Sequence, residues 1–403
     1  MNPKIIKPLM HLYPKNSKVL VRVDFNVPIN NGEVIDDSRI LLSIPTIKLL
    51  IENNNSIVLI SHLGRPKGFD LNFSMKIVLN HLKKIEFFKN LKFHFCSNFN
   101  EKDLENKKRN LNPKEILILE NLRFDPGEKN SNIKFSRKIT NGLDFYINDA
   151  FAVCHRNDAS INQMPKQFGL NKLPGLLLQK ELKELSKVIN FKNSKLAIIG
   201  GSKISTKVEL IKKLTLSCKD VIIGGAMAFS FIKYLNGSIG ISLYEKDQIN
   251  TISSILIEAK KNNCAIHLPV DVNCIKNNDE KVIFTRDIYN IPNDEMGLDI
   301  GPKSCLLFKK IICKSKTIIW NGPMGVFEKK NFEKGTECIL KYISKATKSG
   351  SYSLIGGGDT LSAISNYKKN NSFHDFSFQS SGGGAMLEFL QNPEMPGIKS
   401  ILR

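Results

Sequence analysis

Short apolar runs of four or five residues, rich in β-branched side chains, recur along the chain. They alternate with longer stretches whose apolar positions fall three and four residues apart. The runs read as buried strands and the stretches as helices, the signature of parallel α/β units. A first series comprises Val19–Val23, Ile57–Ser61, Lys92–Phe95, Ile116–Glu120 and Asp144–Ile147. A second comprises Leu196–Ile199, Val221–Ile223, Ala265–Leu268, Thr317–Trp320 and Ser351–Ile355. Between them, Leu177, Leu178, Leu182, Leu185 and Ile189 keep helical spacing with charged residues in the gaps. That pattern predicts one amphipathic helix over Leu176–Asn190. The expectation is an α/β protein of two doubly wound, Rossmann-like parallel-sheet domains, residues 1–175 and 191–390, joined by a helix at 176–190.

Doubly wound sheets bind ligands beyond the carboxyl ends of their strands, and the two series carry different residues there. After the first series stand Asp24 and Asn26, His62 and Arg65, Arg123, Asp149, then His155 and Arg156, with Arg39 between the first two strands. After the second stand Gly200-Gly201, Gly224-Gly225, Gly322, Gly325 and Gly356-Gly357-Gly358-Asp359-Thr360, with a further triplet at Gly382–Gly384. One half offers guanidinium forks to a small anion; the other offers backbone N–H groups to a nucleotide. Two such half-sites imply transfer between two substrates. Within KLAIIGGSKISTK (195–207), the glycine turn is expected to deliver a helix capped by Ser202, with Lys203 and Lys207 on one face. No G-x-x-x-x-G-K-[ST] loop occurs, so this is not a Walker A site. No G-x-G-x-x-G opens a helix with an acidic residue about 20 further on, which argues against a dinucleotide oxidoreductase.

Composition changes the picture in one respect. Lysine and arginine number 59 against 38 acidic residues, a net charge of +21. A nucleic-acid binder would explain the charge but would leave the glycine turns without purpose, and the lysines are spread along the whole chain. Part of the excess is assigned to polyanionic substrates and the rest to solvated surface; no nucleic acid is required. No apolar run approaches the ~18 residues of a membrane span, and the N-terminus has no signal-peptide core. Eight cysteines include no C-x-x-C pair, which fits reduced thiols in the cytoplasm. The neighbours Cys154 and His155 resemble a thiol–imidazole pair, but adjacent residues seldom meet in that geometry.

The chain resembles phosphoglycerate kinase in RVDFNVP (22–28), DDSRI (36–40), SHLGRPKG (61–68), LENLRFDPGE (119–128), NDAF (148–151), HRNDAS (155–160) and IIGGSKISTK (198–207). It continues through LPVDV (268–272), LDIGP (298–302), WNGPMGVFE (320–328), IGGGDT (355–360) and SGGGA (381–385). The resemblance implies reversible phosphoryl transfer between ATP and the carboxylate of 3-phosphoglycerate, by hinge closure of two domains in a monomer. It also implies that the tail 391–403 packs back on the first domain. By motif, Asp24, Phe25, Asn26, His62, Leu63, Gly64, Arg65, Arg123 and Arg156 would bind 3-phosphoglycerate, with Arg39 near the transferring group. Lys203, Gly358, Gly382 and Gly383 would act on that group. Lys203, Lys207, Asn321, Glu328, Gly356, Gly357, Gly358, Asp359 and Thr360 would bind ATP or ADP, with Asp359 meeting Mg2+. The attacking carboxylate is already ionised at neutral pH, so no general base is needed. Three positions depart from the family pattern: Ser381 for threonine, Ala152-Val153 for glycine and a small hydroxyl residue, and Phe229.

Overall fold

The computed structural model describes residues 13–191, 194–276, 279–370 and 376–402. They form two compact units, one of residues 13–186 with 388–402 and the other of 187–387.

The first unit is built on six strands: β1 (Lys18–Arg22), β2 (Ser56–Ile60), β3 (Phe93–Cys96), β4 (Ile116–Leu119), β5 (Phe145–Asn148) and β6 (Lys172–Pro174). Their order is β3-β4-β2-β1-β5-β6 and every neighbouring pair is parallel. Val19, Val21, Ile57, Leu59, Ile116, Ile118 and Ile147 pack with Ile40, Ile47, Val78 and Leu82 of the flanking helices into one core. Such runs are apolar throughout because both sheet faces are covered. The strand order reverses between β1 and β5, which opens a crevice at their carboxyl ends.

Helix Leu176–Asn190 forms as its spacing predicts. Its first free amides are satisfied from the first unit: Leu176 N–H donates to Thr46 Oγ1 (2.9 Å), and those of Leu177 and Leu178 to Asp149 Oδ1 (2.9 and 3.3 Å). Burial pushes the Asp149 carboxyl up to about 7, against these N–H donors and the Thr46 hydroxyl. In the same unit, Gly397 of helix Pro396–Leu402 donates to the Cys154 carbonyl (2.8 Å), and Ser400 Oγ to that of Ile161 (2.8 Å).

The second unit has β7 (Lys195–Ile199), β8 (Asp220–Ile223), β9 (Ala265–His267), β10 (Thr317–Asn321), β11 (Tyr352–Gly356) and β12 (Phe378–Ser380). The order β9-β8-β7-β10-β11-β12, again all parallel, switches between β7 and β10. Beside it lies a three-stranded antiparallel sheet of Asp271–Lys276, Asp279–Asp287 and Glu295–Ile300, which the apolar pattern does not announce. Two buried carboxylates tie it to helices: Asp271 accepts from the amides of Lys303 and Ser304, and Asp299 from that of Gly335.

Candidate functional site

At the carboxyl ends of the first sheet the chain assembles a basic cluster. Arg22, the last residue of β1, is fully buried. Its Nε donates to Ser160 Oγ (2.9 Å), its Nη1 to the Val23 carbonyl, and its Nη2 meets His62 Nδ1 at 3.0 Å. Ser160 in turn donates through Oγ and N to Glu128 (2.6 and 2.9 Å), a fully buried carboxyl whose pKa burial raises against the pull of Arg22. This chain of contacts fixes the imidazole. A buried, tethered guanidinium can only donate, so Nδ1 of His62 must accept and the ring proton sits on Nε2. Burial lowers the His62 pKa well below the usual range, and Arg22, Arg123, Arg156 and Arg39 add to the effect, so the ring is neutral.

Nε2 of His62 faces Arg156 Nη1 at 3.3 Å, so an N–H points at a guanidinium. Two donors facing one another are satisfied by an acceptor seated between them. Arg123 Nη1 donates to the Gly64 carbonyl, while its Nε is buried without a hydrogen-bond partner. Burial and the neighbouring Arg156 charge lower the Arg123 pKa, and burial lowers that of Arg156. Arg65 is exposed, near enough to Arg156 for their charges to repel. Arg39 is only partly covered and pairs with Asp24 (2.8 Å). Asn26 Oδ1 accepts from the Gly64 amide (2.8 Å). Phe25 and Leu63 are buried in the core, so only their backbones can meet a ligand. The structure thus links Asp24 with Arg39, Asn26 with Gly64 and Arg123, and His62 with Arg156. Cys154 and His155 do not form a reactive pair. The Cys154 thiol is fully buried between the Ala150 carbonyl and the Asn148 amide, and burial pushes it up to about 12.

In the second unit the glycine turns stack on one another at the switch point. Lys207 Nζ donates to the Gly200 carbonyl (2.6 Å) and to Asn321 Oδ1 (2.9 Å). The Asn321 amide donates to the Gly356 carbonyl (2.7 Å), and Gly322 N–H donates to Thr360 Oγ1 (2.7 Å). A Cβ on Gly383 would stand 2.9 Å from the Gly357 Cα, and Gly357 itself has φ of +111°, so neither position accepts a side chain. Helices Gly358–Asn370 and Gly383–Gln391 therefore begin side by side, with the start of Val208–Ser217 across the β7–β10 switch. Free N–H groups at helix starts favour an anion.

One expectation is corrected. Residues 202–207 are not helical, and Lys207 is the residue preceding the helix that opens at Val208. Lys203 and Lys207 therefore do not share a helix face. The intervening loop is tied instead by Glu245, which accepts from Ser205 N (2.9 Å) and Oγ (2.6 Å), while Lys203 is exposed. Lys207 is deep enough that burial lowers its pKa to about 8, with Asp359 opposing. Asp359 lies in the first turn of helix Gly358–Asn370, and Glu328 is exposed two residues beyond Val326.

Two features were not legible in the residue pattern. The first is the Arg22–Ser160–Glu128 support behind His62, whose members lie 138 and 32 residues apart. The second is an apolar slot of about 50 Å³ walled by Phe229, Leu298, Met324 and Val326 and floored by the antiparallel strands. Gly297 is what admits the Phe229 ring, since a Cβ there would stand 2.5 Å from its Cζ. Phe229 thus walls a small apolar slot that Gly225 of the glycine turns also lines.

Comparison with known proteins gives a concordant result. The family model described as phosphoglycerate kinase matches residues 9–392. The chain is 42% identical over 409 residues to the phosphoglycerate kinase of a Nitratiruptor species, covering 100% of this chain and 99% of that one. It is 40% identical over 388 residues to that of Wolbachia sp. subsp. Drosophila simulans (strain wRi), covering 96% of each. The solved structure of phosphoglycerate kinase from Coxiella burnetii superposes with a TM-score of 0.82 at 32% identity, covering 96% of each chain.

Proposed function

Since the chain belongs to the phosphoglycerate kinase family, we propose that its basic cluster binds 3-phosphoglycerate and its glycine turns bind ATP or ADP. The reaction is ATP-dependent phosphoryl transfer to 3-phosphoglycerate. The observation that carries the division of labour is the donor-against-donor contact of His62 Nε2–H and Arg156. A phosphate between them accepts from both, and from Arg123 and Arg65, whose planar forks suit its oxygens. Asp24 and Asn26 then face the hydroxyl and carboxyl end of the substrate.

On the nucleotide side, the apolar residues around the slot, Phe229 among them, lie against the base, Glu328 takes the ribose hydroxyls, and Lys207 with the Gly356–Gly358 amides the phosphates. Lys203, Arg39 and the Gly382–Gly383 turn serve the transferring group. Positive charge and N–H dipoles aimed at its equatorial oxygens supply the catalysis, because the acceptor carboxylate needs no base. Among the described residues no three His, Cys, Asp or Glu side chains cluster as a metal cage. The single carboxylate of Asp359 suits Mg2+, which takes one or two protein carboxylates and completes its shell with phosphate oxygens and water. Bound there, Mg2+ would neutralise charge on the nucleotide phosphates.

Transfer requires reacting atoms ~3–3.5 Å apart in a site without bulk water. The two units must therefore close on each other in turnover, pivoting at Leu176–Asn190. We assign the protein to the cytoplasm, as a monomer, because its eight cysteines are unpaired and each half-site draws its side chains from one unit of one chain. Among the described residues no helix is long and apolar enough to cross a membrane.

Titration calorimetry tests the assignment. Arg156→Ala should lose 3-phosphoglycerate binding and keep ADP binding, and Lys207→Ala should do the reverse. Loss of both ligands in either variant, or of neither, overturns it. Closure is read from solution scattering: the radius of gyration should fall only when nucleotide and 3-phosphoglycerate are both present. Superimposable curves for the free, singly bound and doubly bound protein overturn that part.

A further inference from the structure

Three loop segments of the first unit meet on one buried side chain. Asn121 is the second residue past β4 and is fully buried. Its Oδ1 accepts from the backbone N–H groups of Leu63 (3.2 Å) and Arg123 (3.1 Å). Its Nδ2 donates to the carbonyls of Leu63 (2.8 Å) and Phe73 (2.9 Å). A carboxamide has two acceptor lone pairs and two N–H donors, and here all four are used. Reversing the amide would set donors against donors and acceptors against acceptors, so its orientation is fixed. Behind it Glu120 is buried as well. Its Oε1 accepts from the backbone N–H groups of Asn121 and Met75 (2.7 Å each), and its Oε2 from Ser74 Oγ (2.7 Å). Leu122 N–H adds a bond to the Ser61 carbonyl (3.2 Å).

Two guanidiniums stand on the chain that this clamp holds. Arg65 follows Leu63 by two residues, and Arg123 follows Asn121 by two. Arg65 is exposed, so its backbone must supply its placement. Between them, Gly64 has φ of +61° and a Cβ there would run into the Phe73 ring, so the turn has little room to shift. We propose that Asn121 and Glu120 are positioning residues for the phosphate-binding arginines. Asn121 sets where Arg65 and Arg123 stand relative to one another, and Glu120 holds Asn121 and the start of helix Met75–Leu82 in the same frame. Both lie too deep to touch a ligand. The proposal rests on the assignment of the basic cluster to the phosphate of 3-phosphoglycerate. Planar forks bind an anion well only when they converge on the same oxygens, and that convergence is what the clamp fixes.

Titration calorimetry on the full chain, with 3-phosphoglycerate and with ADP, tests it. Asn121→Asp keeps the size and one acceptor but turns an oxygen on the Leu63 and Phe73 carbonyls, so the turn must move. It should weaken 3-phosphoglycerate binding about tenfold or more and leave ADP binding unchanged. Glu120→Gln keeps an acceptor for both amides and a donor toward the Ser74 oxygen, and should bind both ligands within about twofold of the parent. Ser74→Ala, the mildest change, removes one bond and should show the same selective loss in smaller measure. A merely structural role would lower the melting temperature and the fitted stoichiometry but not the affinity of the folded molecules. Unchanged 3-phosphoglycerate affinity in whichever of Asn121→Asp and Ser74→Ala folds, or equal loss of both ligands, overturns the proposal. Arg123→Ala is the reference. Retained 3-phosphoglycerate affinity there overturns the assignment of the cluster itself; lost affinity there, with retained affinity in Asn121→Asp, overturns the positioning role alone.

Discussion

Substituting asparagine for Asp149 should make the protein more stable in alkaline solution than it otherwise is. The carboxyl of Asp149 is buried beneath the first turn of helix Leu176–Asn190, where one oxygen accepts two amides. Burial raises it from 3.8 to about 7 in the fold. A folded pKa above the unfolded one means that folding favours the protonated form. Its contribution is whole below about pH 3.8 and is lost as pH climbs through about 7. At ~1.4 kcal/mol per unit, the loss between pH 5 and pH 8.5 comes to roughly 3 kcal/mol, an upper figure because the buried group relaxes. Asp149→Asn keeps the acceptor oxygen for Leu177 and Leu178 and removes the titration. Urea unfolding followed by circular dichroism at pH 5 and pH 8.5 reads the effect. The stability difference between variant and parent should move in the variant's favour by up to about 3 kcal/mol on going to the higher pH. A difference that is the same at both pH values would refute the argument, since the carboxyl would then titrate alike in folded and unfolded chains.

Other outcomes follow from the same geometry. Arg39→Ala should lower kcat by about 10³ or more with little change in either KM, the signature of charge stabilisation confined to the transition state; a raised KM for 3-phosphoglycerate alone would mark Arg39 as an anchor. Lys203→Ala, at an exposed loop position, should depress kcat without altering thermal stability. Lys207→Ala should weaken ATP and ADP binding and also lower the melting temperature, because its ammonium fastens the Gly200 and Asn321 turns. Phe229→Leu should reduce nucleotide affinity several-fold in calorimetry and leave 3-phosphoglycerate binding intact.

How far the sequence foretold this arrangement depended on the range of the interactions. Leu176–Asn190 was legible to the residue because its apolar stripe is local and uninterrupted. The eight inner strands were legible because strands covered on both faces are apolar runs, and the edge strands Phe93–Cys96 and Ala265–His267 were legible because each still carries a short apolar stretch. The other two edge strands, Lys172–Pro174 (KLP) and Phe378–Ser380 (FQS), carry no apolar run. The antiparallel sheet hides for another reason: Asp271, Glu295 and Asp299 are buried in it, so its polar residues read as loop. Glu295 is held there by Arg286 in a two-bonded pair (2.8 and 2.6 Å) that no local pattern reveals. At 202–207 the four-residue lysine spacing suggested a helix face, but Glu245, forty residues away in sequence, holds Ser205 in a loop. Residue types at strand ends pointed to the basic cluster and the glycine turns that the fold brings together, while the support of His62 by Arg22 required the fold.

The proposed reaction is direct transfer from nucleotide to a carboxylate held in a separate cradle. The measurement closest to it follows ADP formation from ATP with and without 3-phosphoglycerate, trapping the acyl phosphate with hydroxylamine. ADP should appear only with 3-phosphoglycerate and in equal amount to the trapped acyl product. Release of ADP at the same rate without acceptor, or without acyl product, would contradict it.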